Sequence, residues 1–217
     1  MKITYDELQR SIGRHLGWDR NPSNWSADEI TDAADIIKSG THGFYWPTLE
    51  GIPPHKWSFL CVTDTVAITD VATLPDAFIR LVSSFTLASD ERVVLRKVTE
   101  EQLRRLKASD VRSGEPLYFA VRPKQGEQRY ELLLHPVANS PVTLAYQYEF
   151  EPEELSTSNT EHEGSAANSQ ALRYSCLFQA DQMLNPEVQS QFEDKYRQAM
   201  LAAIAKDQEI YGADQSS

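Results

Sequence analysis

Cysteine is almost missing from this chain: there are two in 217 residues, at positions 61 and 176. So few, so far apart, exclude a disulfide framework and the paired-cysteine spacing of a structural zinc site. Two buried free thiols are expected, as in a reducing cytoplasm. Long apolar runs are absent too. Nothing approaches the roughly 18 consecutive apolar residues of a spanning helix, so no membrane segment is expected. The opening residues, MKITYDELQR, introduce acids early and hold no apolar stretch, so a secretory signal is not expected either. There is no P-loop and no G-x-G-x-x-G to cradle phosphate, no G-x-S-x-G elbow, and neither cysteine has a local Cys–His signature. Neighbouring carboxylates such as Glu100–Glu101 and Glu153–Glu154 would point about 100° apart on a helix, which makes them poor acid/base partners. The five histidines offer no metal-ligand spacing: His162 sits in an alternating Glu-His-Glu within an acidic loop, His42 and His55 flank an aromatic connector upstream of Asp64, His135 precedes Pro136 at a strand end, and His15 falls at a helix boundary. No catalytic residue, metal or cofactor is expected.

What the chain has in excess is acid. Net charge is −11, unevenly spread: residues 1–70 hold 6 basic and 10 acidic side chains, residues 71–148 hold 11 and 9, and residues 149–217 hold 4 and 13. Tight sequence-independent binding to nucleic acid needs clustered Lys and Arg, and this balance argues against it. An acidic surface beside duplex DNA would weakly repel it, as suits a wall that DNA slides past.

The order of elements is the strongest signal. Thr4 and Glu7 form a capping box with Ile3 and Leu8 as its staple, opening a helix striped by Leu8, Ile12 and Leu16 that stops at Gly17. Ser26 and Glu29 form a second box, with Trp25 and Ile30 as staple, for a helix carrying Ile30, Ala33, Ala34 and Ile37 and ending at Gly40. An aromatic connector broken by Pro47, Pro53 and Pro54 follows. Then come β segments: residues 55–62 with Trp57, Phe59 and Cys61 on one face, residues 65–69, a Leu-Pro-Asp turn at 74–76 leading into 78–87, and residues 92–98. A short helix capped by Thr99 covers 99–108, and strands recur near 117–122, 130–135 and 142–150. In the last, Leu144, Tyr146, Tyr148 and Phe150 share one face. Residues 151–168 read as a mobile polar loop. Ser169 caps a helix with Leu172, Cys176, Ala180 and Met183, and Asn185–Pro186 opens a long one with Val188, Phe192, Tyr196, Ala199, Ala203 and Ile210 on one face. The final GADQSS is expected to fray.

The expected fold is α+β: a helical bundle built from the N- and C-terminal helices, with an inserted antiparallel β-sandwich or barrel-like domain. Residues 1–40 and 169–217 together would form the helical domain, 55–150 the inserted domain, and 41–54 and 151–168 the connecting loops.

Candidate contact residues follow. The face of the last helix not used internally offers Lys195, Gln198 and Lys206, followed by Ile210 and Tyr211; Phe44, Tyr45 and Trp46 could anchor a partner as exposed aromatics. Arg92, Arg96, Arg104 and Arg105, with Lys97 and Lys107, gather in sixteen residues. They are candidate charge contacts to the acids of a neighbouring subunit, such as those at 151–163. A rival reading is a carbohydrate- or peptide-binding β-sandwich module with helical flanks, its platform made of Tyr45, Trp46 and Trp57.

Several phrases in order, WSFL at 57–60, LPDAF at 74–78, SGEPLYFAVRP at 113–123, RYELLLHPV at 129–137, VTLAYQYEF at 142–150 and AIAKD at 203–207, make nearly the whole chain resemble the phage head-to-tail adaptors, the connector or tail tubular protein A-like family. Where such proteins tend to carry a glycine-rich turn before the third long helix, this chain has EHEGSAANS. The resemblance implies a non-enzymatic virion protein, made in the bacterial host cytoplasm. It implies a twelvefold ring below the portal protein, with the helical part on the portal and the β part toward the next tail component (a nozzle or tail-completion protein). DNA would pass through without sequence-specific binding, and no cofactor or membrane is implied.

Overall fold

The computed structural model describes residues 1–48, 50–184 and 190–211. It divides into two compact units: Met1–Phe59 with Glu153–Ser217, and Leu60–Pro152. The class is α+β, about 41% helix and 24% strand, with two sheets among the described residues.

In the first unit α1 spans Tyr5–Leu16 and starts as its capping box dictates: Thr4 Oγ1 accepts from the Glu7 amide and the Glu7 carboxylate accepts from the Thr4 amide at 2.9 Å. Gly17 ends it with φ 78°, a left-handed cap that only glycine adopts without strain. The second box opens α2, Ala27–Tyr45. Its expected staple does not form. Trp25 is buried against Gly13 of α1 and edge-on to Trp18, leaving Ile30 46% exposed. The helix also runs past Gly40, which is not a cap. A Cβ there would sit 2.6 Å from both the Cα and Sγ of Cys176 on α4, Ser169–Leu184, so the missing side chain is what lets the two backbones touch. Ser175 Oγ seals the crossing by donating to the Gly40 carbonyl at 2.7 Å.

Helix α4 contacts α1, α2 and α5, Glu193–Tyr211. It is buried on most sides, through Ala171, Leu172, Ser175, Cys176, Leu177, Phe178 and Ala180, while Met183 is exposed. Ser169 lies inside the helix rather than capping it; its hydroxyl accepts from the Ile3 amide at 3.0 Å. Helix α5 starts at Glu193, later than expected, and buries Tyr196, Met200, Ala203 and Ile204. The expected start at Asn185–Pro186, Val188 and the last six residues lie outside the described residues. Residues 58–60 form a short 3₁₀ turn where a strand was expected.

The second unit is a sandwich. One sheet has the order β1 (Cys61–Ile68), β9 (Val142–Phe150), β4 (Thr86–Leu87), β5 (Asp90–Val94), with β3 (Phe78–Leu81) also on β9; the other runs β2 (Val71–Thr73), β8 (Tyr130–His135), β7 (Tyr118–Pro123), β6 (Arg96–Lys97). All pairings are antiparallel except β6 with β7. Leu144, Tyr146 and Tyr148 from β9 meet Phe119, Leu132 and Leu134 from β7 and β8, with Phe85 edge-on to Phe119 at 4.9 Å. The alternate residues Ala120 and Leu133 face away from that core and pack on Leu103 of α3, Glu100–Ser109. Covered on both faces, β8 is apolar without alternation, which explains its Leu-Leu-Leu.

Candidate interface surfaces and the polar clusters behind them

Two aspartates organise the buried polar contacts of the helical unit. Asp207 on α5 takes His55 Nε2 at 2.8 Å, the Ser58 amide at 3.1 Å and Ser58 Oγ at 2.5 Å. Asp181 on α4 takes His15 Nε2 from α1 and Ser190 Oγ at 2.7 Å. Each joins a serine and a histidine, yet the hydroxyl donates to the carboxylate and not to the imidazole. The arrangement activates no nucleophile; it ties segments together.

The segment 151–168, expected to be mobile, is fastened at several points. The Tyr5 amide donates to Thr160 O at 2.8 Å, the Glu163 amide to Tyr45 Oη at 2.9 Å, and Leu155 is buried. His162, expected in solvent, is 1% exposed. The Glu163 carbonyl can only accept, so Nδ1 carries the proton toward it, and Nε2 accepts from Ser169 Oγ at 3.1 Å. Burial lowers the pKa of this imidazole below its ordinary value, with Lys2 adding to the effect and the Glu163 carbonyl and Glu161 opposing it. A histidine with a lowered folded-state pKa stays neutral in the folded chain while the unfolded chain takes up the proton. Its contribution is therefore intact above a pH of about 6.5 and is lost as pH falls below that value. Urea midpoints measured from pH 7.5 to 5 should fall more steeply for the native chain than for His162→Gln; parallel profiles would refute this role.

The expected contact residues separate into two groups. Lys195, Gln198 and Lys206 are exposed on α5, Lys195 lying over the Phe192 ring at 5.1 Å, and Ile210 is 61% exposed. Tyr211 ends α5, and its side chain is outside the described residues. The aromatic trio does not form an exposed loop, because α2 continues to Tyr45 with Trp46 as its cap: Phe44 and Tyr45 are buried and Trp46 is half-buried. Trp57 is 1% exposed and its indole donates to the carbonyls of Phe44 and Tyr45. A ligand platform of Tyr45, Trp46 and Trp57 is therefore not present on the surface.

In the second unit, Arg96, Lys97 and Arg105 surround a cleft of about 480 Å³ with Val98, Leu106 and Tyr118. Arg92 is held instead by Asp90 in a two-pronged contact at 3.0 and 3.1 Å, and Arg105 also reaches Glu101 one turn away. Arg104 is exposed on α3 and lines no part of the cleft. Lys107 pairs with Asp70.

Cys61 is only half-buried, whereas burial pushes the Cys176 thiol up to about 12 and leaves it inert. Among the described residues no group of three or more His, Cys, Asp or Glu could hold a metal ion, and no helix is long and apolar enough to cross a membrane. Neither aspartate hub nor the buried His162 had a local signal in the sequence.

A family model described as SU10 adaptor protein matches residues 3–216 of the chain. No curated protein matches it.

Proposed function

The chain belongs to the SU10 adaptor protein family, a family of phage head-to-tail adaptors, and from that premise we propose that it is a non-enzymatic structural part of the virion that joins the portal protein to the tail. The observation that carries the reading is the match itself, which runs through both units from residue 3 to residue 216. The proposed assembly is a ring, twelvefold as in the resembling family, below the portal and around the DNA path. The helical unit would face the portal and the β unit the next tail component, a nozzle or tail-completion protein. The exposed α5 face with Lys195, Gln198, Lys206 and Ile210 is the proposed portal or subunit contact. Arg92, Arg96, Arg104 and Arg105 are the proposed contacts to acids of a neighbouring copy, with Arg92 and Arg105 each exchanging an exposed partner within the chain, Asp90 and Glu101, for one across the interface. Interfaces of this kind bury on the order of 1,000 Å² or more. The formal charge of −11 favours a DNA path that repels rather than binds, and it opposes self-association without a partner. Docking on the portal is thus expected to drive assembly.

Sedimentation velocity of the protein alone and mixed with the portal protein of the same genome tests this. A monomer that co-sediments with the portal ring is the expected result, and Arg104→Glu with Arg105→Glu should weaken ring closure more at low salt than at high salt. A monomer that ignores the portal would overturn the reading.

A further inference from the structure

The helical unit is the acidic half of this protein: residues 1–59 and 153–217 hold 10 basic and 19 acidic side chains. Four of those ten cations nevertheless surround one groove of about 440 Å³, lined by Lys2, Arg10 and Arg14 on the α1 side and Ser169, Gln170 and Arg173 on the α4 side. Arg10 and Arg14 are one turn apart on α1, a like-charge spacing that weakens a helix. None of the four forms an ion pair among the described residues, whereas Arg80, Arg92, Arg105, Arg112, Arg122, Arg129 and Arg197 each reach a carboxylate. Arg173 Nε is buried and meets no acceptor. Glu7, the one acid lining the groove, is already occupied by the Thr4 amide. Unpaired guanidinium groups held side by side, one with a desolvated N–H, cost stability unless an anion from outside completes them.

We propose that this groove is a carboxylate-recognition site that takes an acidic peptide segment of a protein partner. Guanidinium forks match carboxylates in two-pronged geometry, and three of them on two helices fit a chain that carries an acid every few residues. A nucleic-acid backbone fits worse, because its dense charge must approach a unit whose remaining surface is acidic. The proposal rests on the reading that the chain docks to other particle proteins.

The test is fluorescence anisotropy with a labelled oligo-glutamate peptide, against an oligonucleotide of equal charge, at low and moderate salt. The native chain is expected to bind the peptide in preference to the oligonucleotide. Arg173→Gln should weaken peptide binding about tenfold, and Arg10→Gln with Arg14→Gln at least as much. Lys38→Gln, outside the groove, should change nothing. Melting temperatures of the groove variants should equal or exceed the native one, since repulsion is relieved, which separates lost binding from lost folding. No peptide binding by the native chain, equal loss in the Lys38 control, or tighter binding of the oligonucleotide would each overturn the site. A chain that joins the portal but ignores the peptide would end this proposal and leave the adaptor reading standing; peptide binding by a chain that never joins the portal would do the reverse.

Discussion

Gly40→Ala is expected to destabilise the helical unit by about 2 kcal/mol, even though alanine is the better helix former. The added methyl would lie 2.6 Å from Cys176 Cα and 2.8 Å from Cys176 N, atoms of a backbone that cannot rotate away. Relief requires α2 and α4 to separate, which also stretches the Ser175–Gly40 hydrogen bond. Overpacking of this kind costs about 1–3 kcal/mol and sometimes more, while the helix-propensity gain returns at most about 1 kcal/mol. A net loss of about 2 kcal/mol corresponds to a melting temperature lower by roughly 4–8 °C for a chain of this size. Gly114→Ala is the matched control: nothing lies within 4 Å of its added carbon, so its effect should stay within about 0.5 kcal/mol. Circular-dichroism melts of both variants decide the matter. If Gly40→Ala melts with the native protein, the α2–α4 crossing has room for a methyl group and the glycine is not what sets its closeness.

Asp207→Ala should cost more and should act on α5 in particular. Its carboxylate accepts from His55, the Ser58 amide and the Ser58 hydroxyl, and the His55 and Asp207 side chains are only 6% and 10% exposed. Deleting the acceptor leaves three donors in a buried setting, where loss of one member of a buried polar pair costs about 3–5 kcal/mol. The exposed Lys38–Glu154 pair, at 62% and 67%, is the contrast; Lys38→Ala should cost no more than about 1 kcal/mol. Hydrogen exchange along α5 is the direct readout. Amides around 203–210 should exchange much faster in Asp207→Ala while those of β7 to β9 keep their protection. Unchanged protection along α5 would show that the aspartate cluster is incidental to holding the helix. Under the adaptor reading the same variant should lose portal association, since α5 carries Lys195, Gln198, Lys206 and Ile210.

The parts of this fold that could be read from sequence are those whose cause lies within a few residues. The boxes at Thr4, Ser26 and Thr99 each started a helix where expected, because the capping bond joins residues three apart. Strand β9 was legible from alternation, and β7 and β8 from their length and the turn residues that separate them. The end of α2 was not, because a glycine that caps and a glycine that admits another backbone look alike until its neighbour is known, and Cys176 is far along the chain. The Glu-His-Glu segment read as solvated because its anchors are Lys2, Ser169 and Tyr45. The His15–Asp181 and His55–Asp207 pairs span 166 and 152 residues and leave no local trace. The exposure of Lys195, Gln198 and Lys206 on α5 was legible from their spacing. The Arg173 groove was not: α4 is covered on most sides and has no polar stripe to draw attention to it.

The return of the chain from β9 has a consequence for the order in which the protein can form. The helical unit is discontinuous, and its α2–α4 crossing must wait for residues beyond 168. Closing it over an unfolded insert of roughly 90 residues carries an entropic penalty of about 4 kcal/mol. The inserted unit, being continuous, has no such delay, and its register pairs Cys61 with Glu149 on neighbouring strands. Once β1 and β9 zip, the two points where the chain leaves and rejoins the helical unit are held a strand's width apart, and most of that penalty is removed. Formation of the sandwich would thus prepare closure of the bundle, and a chain ending before α4 would hold every strand of the sandwich but no α5. Under the adaptor reading, such a fragment would lack the α5 face proposed for docking and would not compete with the whole chain for the assembly site.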